Sequence, residues 1–318
     1  MGRNLLALAA IVFPLAACGG GGDSGNGVGG TPPVVIAPTP PPAPPPPPTS
    51  PTYDTITDFS RARSFSDFGV RLETSTSGGQ TTTVSSALQV NLGEVGFNFA
   101  ASPRNYSVFY GRDAETFSTL SALSGDFSGE SFNGFTDSPA NNLISTFVRA
   151  NRNSEQYVGQ VRWQNSITSF TNGNQRNDRE ILRLFNYGIS TVPADLPTAG
   201  TDLYQFTFNV SNSRQGLQAT MDLRINWQTG QMTGNGRLPC VVGQVCPTPP
   251  ADGDIQIVAQ FDGNGRFQGS IGGMNGYRGA IVGRFYGPRA IEIGAVMRVA
   301  GGGIDEAAGS FTARAAGR

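Results

Sequence analysis

From Leu217 to Trp227 the chain alternates without a break. Leu217, Ala219, Met221, Leu223, Ile225 and Trp227 take one parity, and Gln218, Thr220, Asp222, Arg224 and Asn226 the other. Period two is the signature of a strand with one dry and one wet face. The pattern recurs through the last third of the chain. Tyr204, Phe206, Phe208 and Val210 alternate before this stretch, and a short strand near Gln231–Leu238 follows the Thr229-Gly230 turn. Ile255–Phe261 runs into Asp262-Gly263-Asn264-Gly265, a strong hairpin signal. Phe267 and Ile271 mark a fifth strand, Tyr277–Tyr286 a sixth, Ala290–Val299 a seventh and Ala308–Arg314 an eighth. In the seventh, Ile291, Ile293, Ala295, Met297 and Val299 form the expected dry face, and Glu292, Gly294 and Arg298 the wet one. Eight short strands with one apolar face suit an antiparallel up-and-down barrel, because closure leaves no open edge. Pattern alone leaves a β-sandwich of the same strands equally open.

The region before the barrel, residues 53–197, is rich in strand signals but less regular. Ala87–Leu92, Val95–Phe99, Tyr106–Tyr110, Leu143–Val148 and Tyr157–Trp163 read as strands between Gly- and Asn-rich breaks. Residues 114–140, with Phe117, Phe127, Phe132 and Phe135 among Ser and Gly, read as irregular structure around aromatic anchors.

The first 52 residues carry no such pattern. Arg3 supplies a positive start and Leu5–Ala17 a short apolar run, too short to span a bilayer as a helix. Leu15-Ala16-Ala17-Cys18 reads as a bacterial lipobox, so residues 1–18 are expected to be a lipoprotein signal, with Cys18 the lipidated residue. Lipidation at Cys18 would satisfy the need for more than one acyl chain in stable anchoring. Gly19 in place of an acidic residue is compatible with sorting to the outer membrane. Residues 19–52 form an expected disordered tether, Gly-rich and then Pro-rich. About twenty residues of polyproline II at ~3.1 Å each give a spacer of roughly 60 Å.

Composition narrows the chemistry. The chain has 318 residues, a net charge of −1 and only 14% charged residues, with 43 Gly and 22 Pro. Such a charge offers no field for recruiting nucleic acid. All 22 basic residues are Arg, and there is no His. That removes the commonest general base and metal ligand, together with Schiff-base and P-loop lysines. The chain reads as a non-enzyme with no metal site and no cofactor. With Cys18 lipidated, Cys240 and Cys246 are the remaining thiols, and outside the cytoplasm they are expected to pair as a staple of the Pro239–Asp252 loop. Asp252-Gly253-Asp254 and Asp262-Gly263-Asn264-Gly265 lack the continuation of a calcium loop and read as turns. Trp163 and Trp227 read as core anchors.

Two segments carry a resemblance. Phe285-Tyr286-Gly287-Pro288, then Ala290, Glu292 and Gly294, followed by Ala308-Gly309-Ser310-Phe311, resembles the C-terminal barrel signature of the transferrin-binding protein B family. Ala295 stands where that family often has a second Gly. Tyr187-Gly188 with Thr191, then Leu196-Pro197-Thr198 with Gly200 and Tyr204, resembles the family's entry to its barrel. The resemblance implies an all-β fold: a β-rich handle over residues 53–197 and an eight-stranded antiparallel barrel over 198–318. It assigns Phe285, Tyr286, Gly287, Pro288, Ala290, Glu292, Gly294, Gly309 and Phe311 to a structural motif. Members are Gram-negative surface lipoproteins that capture host iron proteins, haem carriers or complement regulators. Some act beside a TonB-dependent transporter, and some reach the surface through a dedicated translocator. Those that take transferrin have paired lobes, and this chain has room for one. The expected function is therefore a lipid-anchored outer-membrane protein facing the cell surface, binding a protein or small solute as a co-receptor in iron or nutrient acquisition. Two other classes stay open: a haem or small-molecule carrier, and a structural or adhesive envelope lipoprotein without a soluble ligand.

Overall fold

The computed structural model describes residues 51–56, 62–101, 104–117, 129–138, 141–150, 155–171, 175–211, 216–237, 255–273, 276–301 and 304–317. The signal, nearly all of the tether, Cys18, the loop with Cys240 and Cys246, and Asp252-Gly253-Asp254 lie outside them.

Among the described residues, eighteen strands make three antiparallel sheets. The first ten are β1 (Arg63–Ser66), β2 (Gly69–Ser77), β3 (Gln80–Gln89), β4 (Val95–Ala101), β5 (Arg104–Tyr110), β6 (Asp113–Phe117), β7 (Gly129–Ser138), β8 (Asn141–Ala150), β9 (Val158–Thr171) and β10 (Gln175–Gly188). They form a four-stranded sheet, β1-β4-β5-β6, and a six-stranded sheet, β3-β2-β10-β9-β8-β7. The last eight are β11 (Thr201–Ser211), β12 (Gly216–Asn226), β13 (Gln231–Arg237), β14 (Ile255–Phe261), β15 (Arg266–Gly272), β16 (Arg278–Tyr286), β17 (Glu292–Gly301) and β18 (Ile304–Arg314). They pair in sequence order, and β11 closes onto β18 through Asn209–Ser310, Val210–Gly309 and Ser211–Ala308. The fold is all-β, with the eight-stranded barrel at its C-terminal end, as the alternation and the family resemblance led one to expect.

The barrel is filled by its own side chains. Tyr204, Met221, Leu223, Ile225, Phe267, Phe285, Ile293, Met297 and Phe311 belong to one buried cluster. Phe206 and Phe311 stack face to face at 3.7 Å, and Trp227 lies against Phe285 at 4.9 Å. A second core joins the two handle sheets, built on Phe65, Phe97, Val108, Val161, Trp163, Phe185 and Tyr187.

A third core overturns one expectation. Phe68, Val70 and Leu72 from β2 and its approach, with Leu182 and Leu184 from β10, pack on Val282, Val296 and Ala308 of the barrel. These three barrel residues point outward. The six-stranded sheet therefore lies between the small sheet and the barrel wall, and β16, β17 and β18 are buried on both faces. The expected wet face of β17 is dry: Glu292 is 0% exposed and Val296 is buried with it. Arg298, half-buried, pairs with Glu306 at 3.2 Å.

Two upstream expectations are also corrected. Within 114–140 the described residues form β6 and β7, the latter pairing with β8 along its whole length. Ser, Asn and Gly have weak strand preference on their own, and pairing with the apolar β8 prevails. The strand expected at Ala87–Leu92 begins earlier, at Gln80, because it is the return arm of a hairpin with β2. Residues Thr49–Arg318 form one compact unit.

Candidate functional site

The motif residues converge where β16 leaves the barrel and β17 re-enters it. Alternation sends Phe285 inward and Tyr286 outward. Phe285 meets Trp227, Phe261 and Phe267 at 4.9, 5.4 and 5.7 Å between rings. Tyr286 turns to the handle, where its hydroxyl donates to the buried carboxylate of Asp67. Gly287 has φ 69°, and a Cβ there would sit 2.4 Å from the Tyr157 ring. Glycine is needed both for the backbone angle and for the approach. Its N–H donates to Ile189 O at 2.9 Å, and Thr191 closes the loop from N to Phe285 O at 3.0 Å and from Oγ1 to Gly287 O at 2.7 Å. The Tyr187-Gly188 segment and the Tyr286-Gly287 segment thus meet, with Ser190 bridged to Tyr286.

Pro288 opens a short 3-10 turn, Pro288–Ala290. Arg289 and Ala290 both have positive φ, 52° and 55°. Side chains with a Cβ enter that region at a cost. Two bonds hold the turn there: Arg289 N–H donates to Asp195 Oδ2 at 2.8 Å, and the Tyr204 hydroxyl donates to Ala290 O.

Glu292 is the strongest tie. Its Oε1 accepts from Gln156 N–H at 2.7 Å, and Oε2 from Tyr157 N–H at 2.7 Å and Val158 N–H at 3.0 Å. All three partners are donors, which suits an ionised carboxylate. Burial pushes the carboxyl up from its ordinary value, while the three N–H groups and Arg314, 3.9 Å away, pull it back. Gly294, next on that face, lets Val158 approach, since a Cβ would stand 2.9 Å from its side chain. Gly309 sits between Met297 and Val210 in the barrel ladder, and Phe311 fills the interior against Phe206.

Asp67 was not singled out from sequence. It is buried, and besides the Tyr286 hydroxyl it accepts its neighbour's N–H, from Phe68 at 2.8 Å. Burial pushes its carboxyl up to about 7, against the pull of Arg284, Phe68 N–H and Arg266. The available signal was one acidic residue set among Phe65, Phe68, Val70 and Leu72. A polar network inside the handle was also missed. Arg183 lies 4.1 Å over the Trp163 ring, and it donates to Asn165 and Asp113. Glu73 takes Arg71 and Arg179, each at 2.6 Å. Burial pushes Glu73 up, but the two arginines hold it below its ordinary value. Its members lie up to 112 positions apart, from Arg71 to Arg183, so no local pattern announces it.

No protein-family model matches the chain, and no curated protein matches it by sequence. The chain is similar to solved structures of transferrin binding protein B. A double mutant from Haemophilus parasuis Hp5 is 16% identical with a TM-score of 0.39, over 77% of this chain and 45% of that one. The isotype 1 protein from serogroup B Neisseria meningitidis is 15% identical with a TM-score of 0.36, over 77% and 43%. A protein of unknown function from Nostoc punctiforme is 10% identical with a TM-score of 0.26, over 81% and 96%. The chain spans less than half the length of the Haemophilus and Neisseria structures.

The motif therefore builds a joint. Its polar atoms are occupied in tying handle to barrel, and its apolar ones fill the barrel. Among the described residues no group of three or more Cys, Asp or Glu could hold a metal ion.

Proposed function

We propose that this chain is an outer-membrane lipoprotein, held by lipid on Cys18 and facing the cell surface, that binds a protein or small solute as a co-receptor in iron or nutrient acquisition. The lipobox at Leu15–Cys18 and the tether over 19–52 support the anchor and the reach. One observation supports binding on the outside of the fold: the barrel interior is a packed core of Tyr204, Phe206, Phe285 and Phe311 and their neighbours, and the joint is buried. What can be offered to a ligand is exposed surface and the clefts between handle and barrel. Cys240 and Cys246 would staple the longest barrel loop, and a TonB-dependent transporter and a surface translocator are the partners such a role implies. Protease treatment of intact cells tests the reading, with a periplasmic protein as control. Cleavage of the folded region while the control survives is expected. Protection until the outer membrane is opened would overturn the surface location.

A further inference from the structure

A buried acid and a buried base face each other in the joint without pairing. The base is Arg284, on the outward face of β16, whose Nε is buried with no hydrogen-bond partner. It stands across the ladder from Arg266 of β15, and like charges placed so repel. On its other side the ladder offers Gly294, which has no side chain to compensate. The acid is Asp67, in the link between β1 and β2 and 2% exposed. Its N–H donates to Val95 O at 3.0 Å, which fixes its backbone to the handle. Its Oδ1 accepts Phe68 N–H at 2.8 Å, and its Oδ2 accepts the Tyr286 hydroxyl. Among the described residues no ion pair joins Asp67 to either arginine.

One proton decides which partner suits Asp67. A neutral carboxyl is satisfied by a hydroxyl and an amide, whereas a buried carboxylate is costly without a cation in contact. The titratable and charged groups that face Asp67 are Tyr286 and Arg284 from β16 and Arg266 from β15. The next carboxylate along β15, Asp262, has its Oδ1 taken by the N–H groups of Asn264 and Arg266 in the hairpin turn. With Tyr286 as partner, burial pushes the Asp67 carboxyl up to about 7, against the pull of Arg284, Phe68 N–H and Arg266. In contact with Arg284 the same carboxyl would hold its proton less tightly, because an adjacent opposite charge favours the ionised form. Proton loss therefore shifts the balance toward the Arg284 pair, by up to about tenfold per pH unit below that value and no further above it.

We propose that Asp67 is a proton-operated latch in the joint: with its proton it is held by the Tyr286 hydroxyl, and without it it takes the unused Nε of Arg284, so that handle and barrel are tied in two alternative ways. The latch is a property of the folded chain and is independent of what the chain binds and where it is anchored. Nitrogen-15 NMR of the arginine Nε–H groups, on the full chain in detergent, tests it. Arg284→Lys keeps the charge and identifies the Arg284 signal by its loss. Between about pH 5 and pH 8 that proton should move downfield and exchange with water at least about tenfold more slowly, after correction for the intrinsic effect of pH on exchange. In Asp67→Asn, neutral at every pH, the signal should stay as it is at low pH. Tyr286→Phe removes the competing partner at nearly constant volume, so the transition should move to lower pH by about half a unit or more. Unchanged Trp fluorescence would show that each variant is folded, and the transition in the wild type stands as a test without them. An Arg284 signal indifferent to pH, one that changes alike in Asp67→Asn, or a transition unmoved by Tyr286→Phe would overturn the proposal.

Discussion

Two sides of the same barrel obey different rules. Along β12 to β15 the outer face meets water, and inward Met221, Leu223, Ile225, Ile255, Ile257 and Phe267 alternate with outward Arg224, Asn226, Gln256 and Gln268. Along β16 to β18 the outer face meets the handle, and Val282, Val296, Ala308 and Glu292 are as buried as the residues facing in. A strand covered on both faces no longer needs to alternate. A polar group kept on the covered face is expensive unless partnered, and Arg284 Nε on β16 is a buried donor without a hydrogen-bond partner. Glu292 and Tyr286 are partnered there by residues more than a hundred positions away. The exposed side holds shape, and the covered side makes handle and barrel one body.

Substitutions on each side put the contrast to the test. Phe311→Ala, inside the barrel, should cost about 3–5 kcal/mol by opening a cavity against Phe206. Denaturant unfolding would measure it, and a cost below about 1 kcal/mol would mean that the interior is not tightly packed. Glu292→Gln keeps volume but turns an NH₂ toward N–H donors. It should cost about 3 kcal/mol, and a neutral effect would show that the three N–H groups find other acceptors. Asp67 sharpens the comparison through pH. Its folded carboxyl is raised to about 7 from an ordinary 3.8, so between these values the folded state holds more protons than the unfolded one. Its contribution to stability is complete below 3.8 and is lost as pH rises through about 7. The wild type should therefore lose on the order of 2 kcal/mol across that window relative to Asp67→Asn, and parallel pH profiles would contradict the assignment. Val258→Thr, on the exposed face of β14 at 60% exposure, should change stability by less than about 0.5 kcal/mol.

The sequence was most legible where water enforces it. β12 and β14 alternate, and the Asp262–Gly265 turn has its aspartate capping the hairpin, so these could be read directly. β17 misled in one respect. Glu292 at an alternate position looks like a wet residue, and nothing local says that Gln156, Tyr157 and Val158 will cover it. Tyr286 and Gly287 likewise meet handle residues that no local pattern names. Asp67 and the Arg183–Trp163 network escaped because their meaning lies in contacts across dozens of positions. β7 escaped because Gly, Ser and Asn conceal a strand that its neighbour β8 imposes.

The two tryptophans fall one on each side of the joint, Trp163 in the handle core and Trp227 in the barrel. Unfolding followed by fluorescence in Trp227→Phe reports the handle, and in Trp163→Phe the barrel, with circular dichroism correcting for each variant's own stability. If handle and barrel are one body, the two probes fall in a single shared transition, and Glu292→Gln either lowers both midpoints together or parts them. Separate transitions in the otherwise wild-type chain, unmoved by Glu292→Gln, would contradict the account.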